Sequence, residues 1–209
     1  MLTHTQSHLS RLFGDPEVEG ALSSASLIRA MLEVEAALAE AQVELGDIPA
    51  EAGSAIASAA RSLDLDPAEL AEATERDGVP VPALVACLRG AIDGPHGQYL
   101  HWGATSQDVI DTASVLTLDT VLVLCAARLD GLIEYLAGLA ETHRSTVMPA
   151  RTRGQQATPT SFGLKAALWM MPLCVGASVC HVSARSCAWF RSAARAAPRR
   201  RWARTPGPS

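Results

Sequence analysis

Thr105–His143 reads TSQDVIDTASVLTLDTVLVLCAARLDGLIEYLAGLAETH. It contains no proline, and its only glycines are Gly131 and Gly138. Leu129, Leu132, Ile133, Leu136, Leu139 and Ala140 recur at steps of three and four, the period of one helix face. Val121-Leu122-Val123-Leu124-Cys125 is apolar all round, which marks a helix buried among other helices. At 1.5 Å per residue such a helix spans on the order of 55 Å. One domain of this size cannot bury that rod alone. The stretch therefore predicts an all-α protein, an elongated helical bundle completed by other copies of the chain.

The flanks read as helices with short connections. Towards the N-terminus, Leu27, Met31, Val34, Leu38, Ala41 and Leu45 form one apolar stripe, with Glu33, Glu35, Glu40 and Glu44 off it. Ser23, Ser24 or Ser26 is positioned to cap that helix, and Gly46 to end it. Pro49 opens a second helix that runs to about Leu63. Asp66-Pro67 is a cap followed by proline at the first helical position, opening a short helix that ends near Gly78. Residues 82–92 form another, and Gly94-Pro95 and Gly97 mark a loop. Beyond the long helix, MPARTRGQQATPT is expected to be a loop, followed by a helix from Ser161.

Composition agrees with this reading. The 209 residues are 48% hydrophobic, 19% charged and only 4% aromatic, which excludes a disordered chain and disfavours a β-sandwich. Five cysteines without paired spacing give neither a disulfide framework nor a zinc pattern, and no metal or cofactor is expected. No signal peptide and no membrane span are expected, which leaves the cytoplasm.

The net charge of −5 joins two unlike pieces. Seven of the 17 basic residues (Arg185, Arg191, Arg195, Arg199, Arg200, Arg201 and Arg204) lie in 174–209, which has no Asp, Glu, Lys, Leu or Ile. The ten left in 1–173 face all 22 acidic residues, so the body is −12 and the tail +7. Such a tail, with Trp189, Phe190 and Trp202, has the look of a basic arm for nucleic acid. GC-rich DNA read in a shifted frame yields the same composition. The abrupt change inside a helix favours the frame-shift reading, so nucleic acid is not the expected partner.

Two segments carry chemistry. His101-Trp102-Gly103-Ala104-Thr105-Ser106-Gln107-Asp108 sits where the long helix starts. Thr105 and Ser106 are ordinary helix caps, and the same hydroxyls and free N–H groups suit a carboxylate or phosphate. Spacing alone leaves both readings open. Arg151-Thr152-Arg153-Gly154-Gln155-Gln156-Ala157-Thr158-Pro159-Thr160 offers guanidiniums, amides and hydroxyls, which suits either an anionic ligand or a plain polar loop.

Taken together, HWGATSQDVIDTA, the long helix and ARTRGQQATPTSFGLK resemble the fumarase/aspartase superfamily over about residues 10–173. The block LFGDPEVEGALSSASLIRAMLEVEAALAEAQVELG resembles the opening of its 3-carboxy-cis,cis-muconate cycloisomerase branch. The resemblance implies a mostly α-helical homotetramer whose active sites combine three signature regions from three subunits. It implies β-elimination or its reverse on a small carboxylated substrate, with no metal. For the cycloisomerase branch it implies lactonisation of a carboxymuconate in the protocatechuate/β-ketoadipate route. Thr105, Ser106 and Gln107 would contact substrate, with His101 beside them in a catalytic role. Thr152, Gln155, Gln156 and Thr160 would contact it from the second region, where Arg153 is the other catalytic candidate.

Many lyases of the superfamily carry His where this chain has Arg153, whereas the cycloisomerases lack it. That argues against adenylosuccinate and argininosuccinate lyases. Nothing after Pro172 matches the third region, a Gly/Ser-rich loop with the proton-abstracting Ser. The expected division is 1–104 as an N-terminal helical domain, 105–173 as the start of the central bundle, and 174–209 as an atypical disordered tail. The chain alone is expected to be an inactive, incomplete piece of such an enzyme. The alternatives are another superfamily lyase acting on a succinyl-type substrate, adenylosuccinate lyase-like, and a non-catalytic interaction protein with a basic tail.

Overall fold

A computed structural model describes residue 12 and residues 14–202, with side chains to Cys187. The tail arginines from Arg191 onward, Trp189, Phe190 and Trp202 lie outside the described side chains. In order, the elements are α1 (Pro16–Ala21), α2 (Ser24–Leu45), α3 (Ala50–Ser62), a 3-10 turn (Pro67–Leu70), α4 (Ala71–Asp77), α5 (Val81–Gly90) and a second 3-10 turn (Gly94–Tyr99). There follow α6 (Ser106–Thr142), β1 (Val147–Thr152), β2 (Gln155–Ser161) and α7 (Phe162–Trp202). The fold is all-α with one small hairpin.

The described chain divides into two compact units, one reaching to Thr120 and one covering Val121–Ser186. The first is held by a core of Met31, Leu32 and Ala36 from α2, Ile56 and Ala60 from α3, and Leu84 and Leu88 from α5. Val109 and Ala113, in the first turns of α6, are fully buried in the same core. The first unit takes in the opening turns of α6 as far as Thr120.

Local signals explain the helix ends. Ser23 caps α2 by accepting from Ser26 N–H, and Gly46 closes it at φ 77°, a left-handed conformation that suits glycine. Asp66 and Glu69 form a reciprocal capping box around Pro67. Arg29 caps the far end of α3 in place of a backbone partner. Its Nη1 donates to the carbonyls of Ala60 (2.9 Å) and Arg61 (3.2 Å), and Nη2 donates to Leu63 O.

Three expectations need correction. The buried face of α2 is Ile28, Met31, Leu32, Glu35, Ala36, Ala39, Ala41 and Gln42, rotated from the expected stripe. Glu35, expected off that stripe, is 1% exposed and is paired with a histidine. Second, 147–161 is an antiparallel hairpin, not a loop. Third, Gly94–Tyr99 is a 3-10 turn. Within one chain Val123 is 56% exposed and its neighbours in Val121–Cys125 are half-buried. A helix that is apolar all round needs neighbours on every side, and a single chain does not supply them.

α7 runs without interruption across residue 174. In the second unit, α6 and α7 meet through Leu129 beside Gly176 and through His181 Nε2 within 3.0 Å of Asp130 Oδ2. Both Ser106–Thr142 and Phe162–Cys187 are long and apolar enough to cross a membrane by length and composition. Such helices are equally what a central bundle of a multi-chain enzyme is made of, and α6 carries Asp119, Arg128, Asp130 and Glu134 along its length.

Candidate functional site

The start of α6 belongs to the first unit. Thr105 is its cap: its N–H and Oγ1 both donate to Asp108 Oδ2, at 3.0 and 3.2 Å, and Asp108 N–H donates back to Thr105 Oγ1 at 3.4 Å. Ser106 is half-buried, and Gln107 is exposed with its amide donating to Asp111 Oδ1 at 2.5 Å. These groups sit at the positive end of a helix macrodipole, where unsatisfied N–H groups favour an anion.

His101 lies just before them, and it is not a free base. Its Nδ1 is 2.6 Å from Glu35 Oε1, so a ring N–H donates to a carboxylate that is fully buried. Its backbone is in the left-handed region at φ 60°. The Glu35 hydrogen bond is the main reason the imidazole is held above its ordinary value of 6.5; burial and Arg89 oppose the rise, and Asp108 adds to it. The Glu35 partner thus favours the protonated imidazole more than water would.

A pH dependence follows. The pair contributes its full stability below about pH 6.5 and loses it as pH rises through the raised value of the folded state. The urea midpoint is expected to be higher at about pH 6 than at about pH 9, and His101→Asn is expected to shrink that difference. An unchanged difference in that variant assigns the effect to other groups.

The second segment belongs to the other unit. Its strands pair Met148 with Thr160, Pro149 with Pro159, Arg151 with Gln156, and Thr152 with Gln155. An irregularity lies between Pro149 and Arg151. That register leaves Arg153-Gly154 as a two-residue turn with φ 47° and 79°, both left-handed. Arg153 therefore sits at the tip. Thr152, Arg153, Gln155 and Gln156 are exposed, and Thr160 is half-buried. None of these side chains has a hydrogen-bond partner among the described residues. The expected site residues thus divide between two units: His101, Thr105, Ser106 and Gln107 in one, Thr152–Thr160 in the other.

Sequence reasoning missed Glu35 and Gln42. Gln42, also 1% exposed, donates from Nε2 to Trp102 O at 2.8 Å. The available signal was two polar residues a whole number of turns apart inside an apolar helix. A surface hollow of about 690 Å³ lined by Glu40, Val43, Gly53, Ala57 and Arg61 contains none of the expected residues, and Arg61 is engaged there by Glu33 and Glu40.

Comparison with known proteins bears on this arrangement. The family described as Lyase matches residues 3–179. A nitrosuccinate lyase of Streptomyces davaonensis is 42% identical over 165 residues, covering 78% of this chain and 35% of that protein. A 3-carboxy-cis,cis-muconate cycloisomerase of Bradyrhizobium diazoefficiens is 42% identical over 170 residues, covering 80% and 38%. The crystal structure of beta-carboxy-cis,cis-muconate cycloisomerase from Acinetobacter calcoaceticus superposes with a TM-score of 0.79 at 32% identity, covering 84% of this chain and 42% of that one. The chain spans little more than a third of the length of these curated relatives. By match, identity and fold, this chain belongs to the lyase family of the fumarase/aspartase superfamily.

Proposed function

We propose that this chain supplies two of the three signature regions of a 3-carboxy-cis,cis-muconate cycloisomerase-type enzyme. In that reaction a substrate carboxylate oxygen bonds to a double-bond carbon, and the neighbouring carbon gains a proton, giving a lactone. Thr105, Ser106 and Gln107 receive a substrate carboxylate at the helix start, with His101 beside them. Thr152, Gln155, Gln156 and Thr160 contact substrate from the hairpin. Arg153 stabilises the negative charge that develops on the way to the lactone.

The observation that carries this reading is the guanidinium at the hairpin tip. Many β-elimination lyases of the superfamily place an imidazole at this position for proton transfer. Arginine stays protonated throughout the usable pH range, so Arg153 serves charge stabilisation and not proton abstraction. The second reading, a lyase releasing an unsaturated acid from a succinyl-type substrate, is favoured by the equal identity to the nitrosuccinate lyase.

The functional assembly is a homotetramer in the cytoplasm, in which other copies cover the exposed residues of both regions. In the 209-residue chain alone, Thr105, Gln107, Thr152, Arg153, Gln155 and Gln156 face solvent, and charge stabilisation of this kind requires that water be excluded. Purified chain is therefore expected to show no turnover of 3-carboxy-cis,cis-muconate. A chimera carrying residues 1–173 in place of the matching part of the Bradyrhizobium diazoefficiens cycloisomerase is expected to form lactone. Fumarate release from a succinyl-substrate panel instead would establish the second reading. Turnover by the isolated chain would refute the need for covering copies.

A further inference from the structure

Glu35 and Gln42 stand seven residues apart on α2, two helical turns, and so project from one face. Both are 1% exposed, on a face otherwise made of residues such as Met31, Leu32, Ala36 and Ala39. Buried polar groups in such surroundings persist where they have partners. Both find theirs on one short segment: Glu35 Oε1 accepts from His101 Nδ1 at 2.6 Å, and Gln42 Nε2 donates to Trp102 O at 2.8 Å. Glu35 Oε2 is buried with no hydrogen-bond partner among the described residues, so its hydrogen bonding is directed entirely at His101.

The gripped segment is bent: His101 has φ 60° and Gly103 φ 69°, both left-handed. The segment leads directly into Thr105 and the capped start of α6. Packing α2 does not require these polar groups, because apolar residues would fill the same face and a buried ion pair is not in general a net source of stability. What they do is fix the path of the chain from 101 to 105.

We propose that Glu35 is a positioning residue acting through His101: with Gln42 it locks the imidazole ring and the left-handed turn, and so fixes the start of α6 and presents Ser106 there to a ligand carboxylate, the Thr105 hydroxyl being held by Asp108. The receiving role rests on the function proposed above, whereas the positioning does not. The charged groups that act on the ring are Glu35 from α2, Arg89 from α5 and Asp108 from α6.

The test is NMR on the 209-residue chain, comparing wild type, Glu35→Gln and Glu35→Asp. Wild-type His101 is expected to titrate above the ordinary histidine value, Glu35→Gln to bring it back, and Glu35→Asp to restore most of the rise. The amides of Thr105, Asp108 and Val109 are expected to exchange about tenfold faster in Glu35→Gln, as for loss of one charged hydrogen bond. The core amides of Leu32 and Ile56 are expected to keep their rates.

The proposal is overturned if Glu35→Gln leaves the His101 titration or the Thr105–Val109 exchange unchanged. It is overturned equally if core and helix start loosen together without rescue by Glu35→Asp. Should Glu35→Gln not fold, His101→Asn tolerates the left-handed backbone and removes the pair: faster exchange at the same amides supports the proposal, and unchanged exchange refutes it. Fumarate serves as a carboxylate probe. If it leaves the wild-type amides of Thr105–Gln107 unmoved, the receiving role fails, while the titration and exchange results still decide the positioning.

Discussion

Gly163→Ala is expected to destabilise the α6–α7 unit by about 3 kcal/mol, the upper end of the usual overpacking range. A Cβ at Gly163 would run into Ala140 O and would lie 2.8 Å from Arg144 Cα and 2.9 Å from Arg144 N. These are backbone atoms, which cannot rotate away as a side-chain tip can. The same corner is closed by Gly163 N–H donating to His143 O and Phe162 N–H to Thr146 O, both at 2.9 Å. The Phe162 ring also packs edge-on against His143, with centroids 5.1 Å apart. Relief of the clash would break all three contacts. Gly138→Ala is the control: nothing lies within 4 Å of its Cβ position. In mid-helix that change is expected to stabilise by up to about 1 kcal/mol. Urea unfolding followed by circular dichroism reads both. Opposite signs for the two variants confirm the close approach at Gly163, and equal midpoints would refute it.

The second large effect is self-association. In the α6–α7 unit, Val123, Tyr135, Leu168, Met171, Val175 and Val179 are all more than half exposed. Covering one such side chain is worth roughly 1.5–3 kcal/mol, so a few of them together drive association at ordinary protein concentrations. Analytical ultracentrifugation is expected to show concentration-dependent oligomers. Leu168→Glu with Val175→Glu is expected to raise the association midpoint at least about a hundredfold, since each change removes one buried apolar contact. A wild-type chain that stays monomeric across the range would sink the prediction. Partition into lipid vesicles with no oligomer in solution would assign these faces to a membrane instead.

The sequence was most legible where the physics is local. Helix starts and stops depend on residues within a turn or two, and Ser23, Gly46, Asp66-Pro67 and Gly78 act at the ends where they were expected. The long helix was legible because a proline-free apolar run of that length has few other solutions. The hairpin was not. Pro149 and Pro159, which cannot donate to a ladder, sit opposite each other in its strands, and Arg153-Gly154 lacks the Asn-Gly or Asp-Gly signature of a two-residue turn. The α2 stripe was misplaced because small alanines left its rotation underdetermined, and Glu35 was therefore read as off the buried face.

The sequence by itself determined the all-α class, several of the helix ends and, through HWGATSQD and ARTRGQQATPTSFGLK, the superfamily. Each of these rests on neighbours in the chain or on short motifs. Only the tertiary structure decided that Glu35 is buried against His101, 66 positions away, and that Gln42 grips Trp102, 60 positions away. The reason is physical: whether a carboxylate belongs inside depends on the partner it meets there, and that partner is brought to it by the packing of α2 against the segment that leads into α6.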